Sequence, residues 1–319
     1  MIKREENPSY LNEFLDYSEN VLGKTKNSIK EMNYDLAFFL KFIMHKYNLS
    51  KIRDIKLIKE IKIRKLKIDL IKTISLDDIY DFVDYLEKDI KRSKATIARK
   101  LSTIRAFFDY LYNVAKTIDK NPAMNIITPK YKRNIPKSLN IKESKKLLKS
   151  VRDNKEIKHG THDNSLRNYA IILLILSTGV RINEIAELNI KDVDFKESKL
   201  QIIKGKEKRD IPLNKDCIKA IENYLSERPK NLKDKDAIKA LFLSERRKRI
   251  ARRTIQYIIK KELDIAELDS AYSAHKLRHT FAKIMYQEGK IDLKYLQEIL
   301  GHRSIATMDV YTKKQRRKK

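Results

Sequence analysis

Apolar residues recur at helical spacing through most of the first third of the chain. Leu11, Phe14, Leu15 and Leu22 form one such pattern, and Gly23 interrupts it. Three further segments have the same period: 28–47, 75–90 and 94–114. Residues 51–72 are rich in Ile and Lys without a clear phase, so this pattern leaves their structure open. The first third is therefore predicted to be helical, with one connection of undetermined form.

Prolines interrupt the helical pattern in the middle of the chain. Pro122, Pro129 and Pro136 lie in a basic stretch with no helical period, and proline disfavours helix at the residue before it. We therefore predict an extended linker there. The expected organisation is a helical first domain over 1–128, a basic proline-containing linker over 129–139 and a second domain over 140–319.

The second domain is predicted to be helical with one small sheet. Buried or amphipathic helical patterns surround two short β-prone runs, "LQII" from Leu200 and "RDIPL" from Arg209, which flank a turn rich in Gly and Lys. The expected fold class is mostly α with one small antiparallel sheet, in a two-domain clamp.

The composition indicates a polyanionic partner. Lys and Arg outnumber Asp and Glu 72 to 43, which gives a formal net charge of +29. An AT-rich genome would also raise the Lys content, but it would not reverse the sign. The single cysteine, Cys217, excludes an internal disulfide and cysteine-pair metal clusters. With no signal-peptide core, and no apolar run near the ~20 residues that cross a bilayer, we expect a soluble cytoplasmic protein with no membrane partner.

Five short segments carry residues suited to phosphate chemistry. They are "TGVRINE", "KGKEKR", "AHKLRH", "GHRS" and "TMDVY", which contain Arg181, Lys204, His275 with Arg278, His302 and Tyr311. Each has an ordinary structural explanation when taken alone. The arginine could pair with Glu184 on a helix surface, the histidines could be structural, and the last residue is one of sixteen tyrosines. Only their joint order favours a catalytic site.

The chain resembles the tyrosine recombinases of the phage-integrase and chromosome-dimer-resolving group. The resemblance rests on "STGVRINEIAEL", "IIKGKEKRDIPL", "HKLRHTFA" and "LGHRSIATMDVYT", over most of residues 170–312. It implies that six residues fill the family's active-site places: Arg181, Lys204, His275, Arg278, His302 and Tyr311. Glu184 matches a position that braces the first arginine.

The chemistry of a phosphodiester explains why these residue types are needed. Arginines match phosphate oxygens bidentately and remain charged, so the two arginines, with His302 as a further donor, would stabilise the transition state. A phenol has an ordinary pKa near ~10, which neighbouring cations lower, so Tyr311 could act as the nucleophile. His275 would be the base or proton relay, and Lys204 the general acid for the leaving 5′-hydroxyl. The covalent phosphotyrosine conserves the bond energy, so no ATP is expected. The sequence has no clear carboxylate cluster for Mg²⁺, so no metal or other cofactor is expected.

Basic helix faces in each domain are the predicted DNA contacts. In the first domain the candidates are Lys94, Thr96, Arg99 and Arg105, on a helix that is also expected to carry Lys100 on its basic face. In the second domain the candidates are Arg253, Thr254 and Gln256. The expected partner is a double-stranded recombination site in the nucleoid. Self-association into a tetramer on two such sites, or pairing with a related recombinase, is also expected. Relatives usually carry a further helix after the tyrosine, whereas here only "TKKQRRKK" follows Tyr311, either naturally or by truncation.

Three functions compete at this point. The first is a site-specific recombinase acting through a 3′-phosphotyrosyl intermediate and a Holliday junction, for chromosome-dimer resolution or for integration and excision of a mobile element. The second is a DNA-relaxing enzyme like the type IB topoisomerases. The third is a DNA-binding protein that has lost catalysis. The complete set of six residues argues against the third, and the separate helical first domain favours the first.

Overall fold

The structure is a computed structural model, and it describes residues 4–131, 137–153, 164–205, 207–269 and 271–301; at Lys204 only the backbone is described. Contacts divide the chain into two compact units, Met1–Arg133 and Asn134–Lys319. The division falls within the predicted linker 129–139. Leu139, at the end of that segment, is buried in the second unit, where its N–H donates to Thr280 Oγ1 at 2.9 Å.

In the described part of the first unit, five α-helices surround an apolar core rich in phenylalanine. They are α1 (Ser9–Asn20), α2 (Lys26–Lys46), α3 (Ile68–Thr73), α4 (Leu76–Asp84) and α5 (Lys94–Asp109). Ser75 caps α4, because its hydroxyl accepts the N–H of Asp78 while the carboxylate of Asp78 accepts the N–H of Ser75. Single π-helical turns, Tyr85–Asp89 and Tyr110–Val114, extend α4 and α5.

The second unit packs its helices around one small sheet. The helices are α6 (Ile141–Asp153), α7 (Asn164–Thr178), α8 (Ile182–Glu187), α9 (Lys215–Glu227), α10 (Lys235–Lys239), α11 (Arg252–Ile265), α12 (Ala274–Gln287) and α13 (Leu293–Leu300). The strands are β1 (Val193–Asp194), β2 (Lys199–Lys204) and β3 (Glu207–Pro212), paired antiparallel in the order β1-β2-β3. The apolar helix α7 lies in the middle of the core, since most of its residues are buried.

The predicted fold class, mostly α with one small antiparallel sheet, is confirmed. The structure adds detail where periodicity was uninformative. Residues 51–72 contain a 3-10 helix (Ile55–Glu60) and α3, and they place Ile58, Ile61 and Ile63 in the core. The sheet has a third strand, β1, which is too short to show an alternating pattern. No helix within the described ranges is long and apolar enough to span a membrane.

Candidate active site

A tight glycine turn sets the position of Arg181. Gly179 ends α7 with φ at +63°, and a Cβ there would lie 2.5 Å from Phe281 Cδ1 and 2.8 Å from Leu300 Cδ2. Only glycine combines this left-handed backbone with so close an approach to α12 and α13. The chain then enters α8, with Arg181 at its N-cap position.

The guanidinium groups of Arg181 and Arg278 meet at the C-terminal end of α13. Arg278 Nη2 donates to the carbonyl oxygen of Leu300 at 2.6 Å, and Arg181 Nη2 donates to that of Gly301 at 2.8 Å. Arg278 is buried and also donates to the carbonyl oxygen of Gly179. The last carbonyls of a helix have no intrahelical partner and carry a partial negative charge, so cations stabilise them. The two predicted phosphate ligands are therefore held on successive carbonyls of one helix end.

A third arginine, which the sequence did not single out, binds the same helix end. Arg209 on β3 donates from Nε to the carbonyl oxygen of Ile299 at 3.0 Å. Its Nη1 and Nη2 donate to Glu184 Oε1 and Oε2 at 3.1 and 2.8 Å, which is a bidentate pair. A basic residue in a hairpin gives no signal of its own in a chain so rich in Lys and Arg. The partners of Arg209, Glu184 and Ile299, lie 25 and 90 residues away in the sequence.

Glu184 joins these arginines. Its carboxylate accepts the backbone N–H of Arg181 at 2.9 Å and Arg181 Nη1 at 3.1 Å, besides the fork of Arg209. Burial alone would raise the pKa of Glu184, but the hydrogen bonds and positive charges of the two arginines hold it below its ordinary value. This carboxylate is thus ionised at neutral pH. The predicted bracing contact to Arg181 is present.

His275 lies within the field of both predicted phosphate ligands. His275 is exposed at the surface, but the protein atoms around its ring remove part of its water, which lowers its pKa, and the positive charges of Arg278 and Arg181 lower it further. Its ring meets that of His279 edge to face, with centroids 5.1 Å apart. Burial and the neighbouring charges of His275 and Arg278 lower the pKa of His279 to about 4. Both imidazoles are neutral at pH 7, so His275 can accept a proton.

The remaining predicted catalytic residues are described only in part. Lys204 ends β2, where its backbone pairs with Glu207 of β3 across the hairpin turn. His302 and Tyr311 lie outside the described residues. Gly301, which immediately precedes His302, caps α13 in the left-handed conformation with φ at +60°.

Several predicted DNA contacts of the first unit have structural partners. Arg99 pairs with the buried carboxylate of Asp35, and Arg105 Nη2 donates to the carbonyl oxygen of Ile126 at 2.8 Å. Lys94 is exposed, and Thr96 lies near the Ser93 hydroxyl that caps α5.

Lys100, which was expected on the same basic face, is instead buried. Its ammonium lies 2.7 Å from Asp35 Oδ1 and over the rings of Tyr34 and Phe38. The expectation was wrong because a buried carboxylate and two aromatic faces can hold a lysine beside the core.

The predicted face of α11 in the second unit is open. Arg253 and Gln256 are exposed and Thr254 is half-buried. Tyr257, the residue after Gln256, is 67% exposed. Their neighbours Ile255, Ile258 and Ile259 are buried, so the helix is amphipathic with a basic outer face. Among the residues that the structure describes, no cluster of His, Cys, Asp and Glu could hold a metal ion.

Comparisons with known proteins give the same class, the DNA-breaking and rejoining enzymes. The model of the phage integrase family matches residues 137–318, and that of the phage integrase N-terminal SAM-like domain matches residues 53–114. The tyrosine recombinase XerC of Caldanaerobacter subterraneus subsp. tengcongensis is 42% identical over 308 residues, covering 96% of this chain and 83% of the relative.

Two solved structures share the fold. The Tn1549 transposon integrase, in complex with transposon right end DNA, aligns with a TM-score of 0.71 at 18% identity, over 96% of this chain and 95% of the other. The XerH site-specific recombinase, bound to palindromic difH substrate, aligns with a TM-score of 0.67 at 22% identity, over 97% and 94%.

The chain belongs to the phage integrase family. It is a tyrosine site-specific recombinase, and its reaction is the site-specific recombination of DNA in chromosome-dimer resolution or integration. The expected class of enzyme is therefore confirmed, and DNA relaxation of the type IB topoisomerase kind has no support.

Proposed function

We propose that Tyr311 attacks the scissile DNA phosphate in a pocket formed by Arg181, Lys204, His275, Arg278 and His302. The observation that carries this assignment is the meeting of two guanidinium groups on the carbonyls of Leu300 and Gly301. Residues distant in sequence thereby reach one helix end, directly before His302. A dispersed set of surface ion pairs would not require such convergence.

Each residue has one role in the proposed reaction. The phenol oxygen of Tyr311 forms a bond to phosphorus, and the bond from phosphorus to the 5′ oxygen breaks. His275 takes the phenol proton, and Lys204 gives a proton to the departing 5′ oxygen. Arg181, Arg278 and His302 donate hydrogen bonds to the non-bridging oxygens as their negative charge grows.

The product is a 3′-phosphotyrosine that keeps the energy of the broken ester. A 5′-hydroxyl from another duplex can attack this phosphotyrosine and release the tyrosine, so one exchange yields a Holliday junction. The lowered pKa of His275 supports its role, because a neutral imidazole can accept the phenol proton at pH 7. No metal or nucleotide enters these steps.

The proposal includes the way the protein holds DNA. The two domains, 1–128 and 140–319 about the linker 129–139, would bind the duplex mainly through phosphates. The contacts proposed are Lys94, Thr96, Arg99, Arg105, Arg253, Thr254 and Gln256. Arg253 and Gln256 have the strongest support because both are exposed on the basic face of α11. Four protomers, identical or with a related recombinase, would join two sites in the cytoplasm on the nucleoid.

A nicked suicide substrate tests the nucleophile. Wild-type protein should become covalently attached to the DNA, and Tyr311→Phe should bind the same DNA without attachment. Tyr295→Phe is the matched control, because Tyr295 is an exposed tyrosine of the same region, on α13, and should still attach. Attachment by Tyr311→Phe at the wild-type rate would show that another residue is the nucleophile.

Strand exchange tests the class of reaction. Two different duplexes that carry the recombination site should yield Holliday junctions and recombinant products. Relaxation of supercoiled plasmid without any exchange between duplexes would contradict the proposal.

A further inference from the structure

We propose that Arg209 is a positioning residue that fixes the hairpin β2–β3 to the C-terminal end of α13 and to Arg181. This inference rests on the proposed function, because it concerns the placing of the proposed acid, Lys204, and of the segment that leads to His302. Arg209 itself is not proposed to touch DNA.

The contacts of Arg209 use every nitrogen of its guanidinium group. Nε binds the carbonyl oxygen of Ile299, while Nη1 and Nη2 bind the two carboxylate oxygens of Glu184. The side chain is only 19% exposed. The planar guanidinium group has three donor nitrogens in fixed directions, and they satisfy three acceptor atoms, one carbonyl oxygen and two carboxylate oxygens, which a single ammonium cannot do in this geometry. One side chain thus links three elements: β3, α8 and α13.

The hairpin position of Arg209 relates it to Lys204. Arg209 pairs with Ile202 across the sheet, and Lys204 is two residues further along β2. At about 3.3 Å per residue this is a separation of ~7 Å along the strand. A shift of Arg209 relative to α13 therefore moves the turn that carries the proposed acid.

Gly301 provides the space for this contact. A Cβ on Gly301 would lie 3.0 Å from Nη1 and 3.2 Å from Cζ of Arg209. The guanidinium plane therefore lies directly against the chain at the point where α13 ends. Gly301, the residue before His302, therefore leaves no free space for a side chain beside Arg209, and its carbonyl oxygen accepts a hydrogen bond from Arg181.

Glu184 transmits the effect to Arg181. Its carboxylate binds both arginines, so loss of Arg209 removes two of its donors and allows it to move. The loss also raises the pKa of Glu184 towards its ordinary value, since Arg209 is the first of the groups that lower it against burial. Protonation of Glu184 would then weaken the hold on Arg181 at mildly acidic pH.

Three variants test the proposal on the suicide substrate at saturating DNA. Arg209→Gln and Arg209→Lys should slow cleavage by ~10- to 100-fold, because small displacements of reacting groups have effects of this size. The dissociation constant for DNA should change less than ~3-fold. Lys208→Gln removes one positive charge from the adjacent exposed position of β3 and should cleave within ~2-fold of wild type.

Two further readouts separate positioning from simple loss of stability. The acid limb of the pH–rate profile of Arg209→Lys should move to higher pH, because Glu184 loses the hydrogen bonds from Arg209 that lower its pKa. The double variant Arg209→Lys with Glu184→Gln should cleave no more slowly than about the slower single variant, because both act through one contact.

Arg209→Lys keeps the charge and most of the aliphatic stem. If Arg209→Gln fails to fold, Arg209→Lys alone tests whether Arg209 is a positioning residue. Wild-type cleavage by Arg209→Lys, an unmoved acid limb, or multiplying losses in the double variant would each overturn the inference. The inference and the proposed function fail separately. Attachment by Tyr311→Phe overturns the proposed function, whereas loss of attachment in that variant with normal cleavage by Arg209→Lys overturns only the role of Arg209.

Discussion

Substitution of Gly179 by alanine should destabilise the second unit by two separable effects. The φ angle of +63° costs a residue with a Cβ roughly 1–2 kcal/mol. The added Cβ would also lie 2.5 Å from Phe281 and 2.8 Å from Leu300, distances that side chains do not tolerate without moving. Overpacking of this kind costs typically about 1–3 kcal/mol, so the total for Gly179→Ala is ~2–5 kcal/mol.

Gly205→Ala supplies the control within the same unit. Gly205 has φ at +61°, but nothing lies within 4 Å of the position of its Cβ. This variant should lose only the conformational part, ~1–2 kcal/mol. The difference between the two alanine variants therefore isolates the steric part. For a domain of this size it corresponds to ~2–4 °C of Tm per kcal/mol.

The measurement is thermal and urea unfolding of the full chain, followed by circular dichroism at 222 nm. Two units call for a two-transition fit, in which only the transition of the second unit should shift. Cleavage should also fall in Gly179→Ala, because Phe281 and Leu300 lie on the helices that carry Arg278 and its carbonyl acceptor. Equal stability of the two alanine variants would refute the steric reasoning.

Three further predictions concern charge. The contribution of His279 to stability should fall by on the order of 3 kcal/mol between pH 6.5 and about 4. In this range the unfolded chain binds a proton at His279, whereas the folded chain, in which the pKa of His279 is about 4, does not. His279→Asn should therefore lessen the fall in stability that urea titrations show over this range. Lys100→Met should lower the free energy of unfolding by ~3 kcal/mol, which is the low end for a broken buried ion pair, because Arg99 remains beside Asp35. The control Lys94→Met should change the free energy of unfolding by less than ~0.5 kcal/mol. Arg253→Gln should lower by ~1 the slope of the logarithm of DNA affinity against the logarithm of salt concentration. Arg249→Gln should leave that slope unchanged and destabilise the fold, because the guanidinium group of Arg249 binds the carboxylate of Asp236 and backbone carbonyl oxygens.

Each of these has a result that contradicts it. An unchanged pH dependence in His279→Asn would mean that the imidazole titrates normally. Equal losses in Lys100→Met and Lys94→Met would mean that the buried ion pair contributes nothing. A salt slope lowered by Arg249→Gln and not by Arg253→Gln would reverse their assignment to structure and DNA.

Local patterns predicted the helical fold well because they reflect short-range physics. The break at Gly23, which lies between α1 and α2 with φ at +62°, depends on residues no more than a few positions apart, and it is present. The 3-10 segment Ile55–Glu60 was missed because its apolar residues reach the core without a helical or alternating period. Short elements of this kind depend on tertiary contacts, which a sequence window does not contain.

The site was predicted less completely, for a different reason. Arg181 and Glu184 are three residues apart, so their pairing follows from helix geometry. Lys100 and Asp35 are 65 residues apart, and Arg209 and Ile299 are 90 residues apart. Nothing in the local sequence distinguishes Lys100 and Arg209 from the many exposed basic residues of this chain. Their burial follows from partners that only the folded chain brings near.

Three arginines bind the C-terminal end of α13, but their substitution does not test the same function. Arg181 and Arg278 are proposed to bind the phosphate, and both also hold carbonyls at the point where the chain leaves α13 for His302. A substitution of Arg181 or Arg278 would therefore disturb both the binding of the phosphate and the positioning of the chain before His302. A lower cleavage rate in such a variant would not show which of the two was responsible. Arg209 contacts the same helix end and the carboxylate of Glu184, but it has no proposed contact with the phosphate. Its variants consequently report on the placing of this helix end, of the hairpin and, through Glu184, of Arg181, without removing a group that is proposed to bind the phosphate. The Arg209 contact is therefore the place where positioning can be tested apart from direct binding of the phosphate.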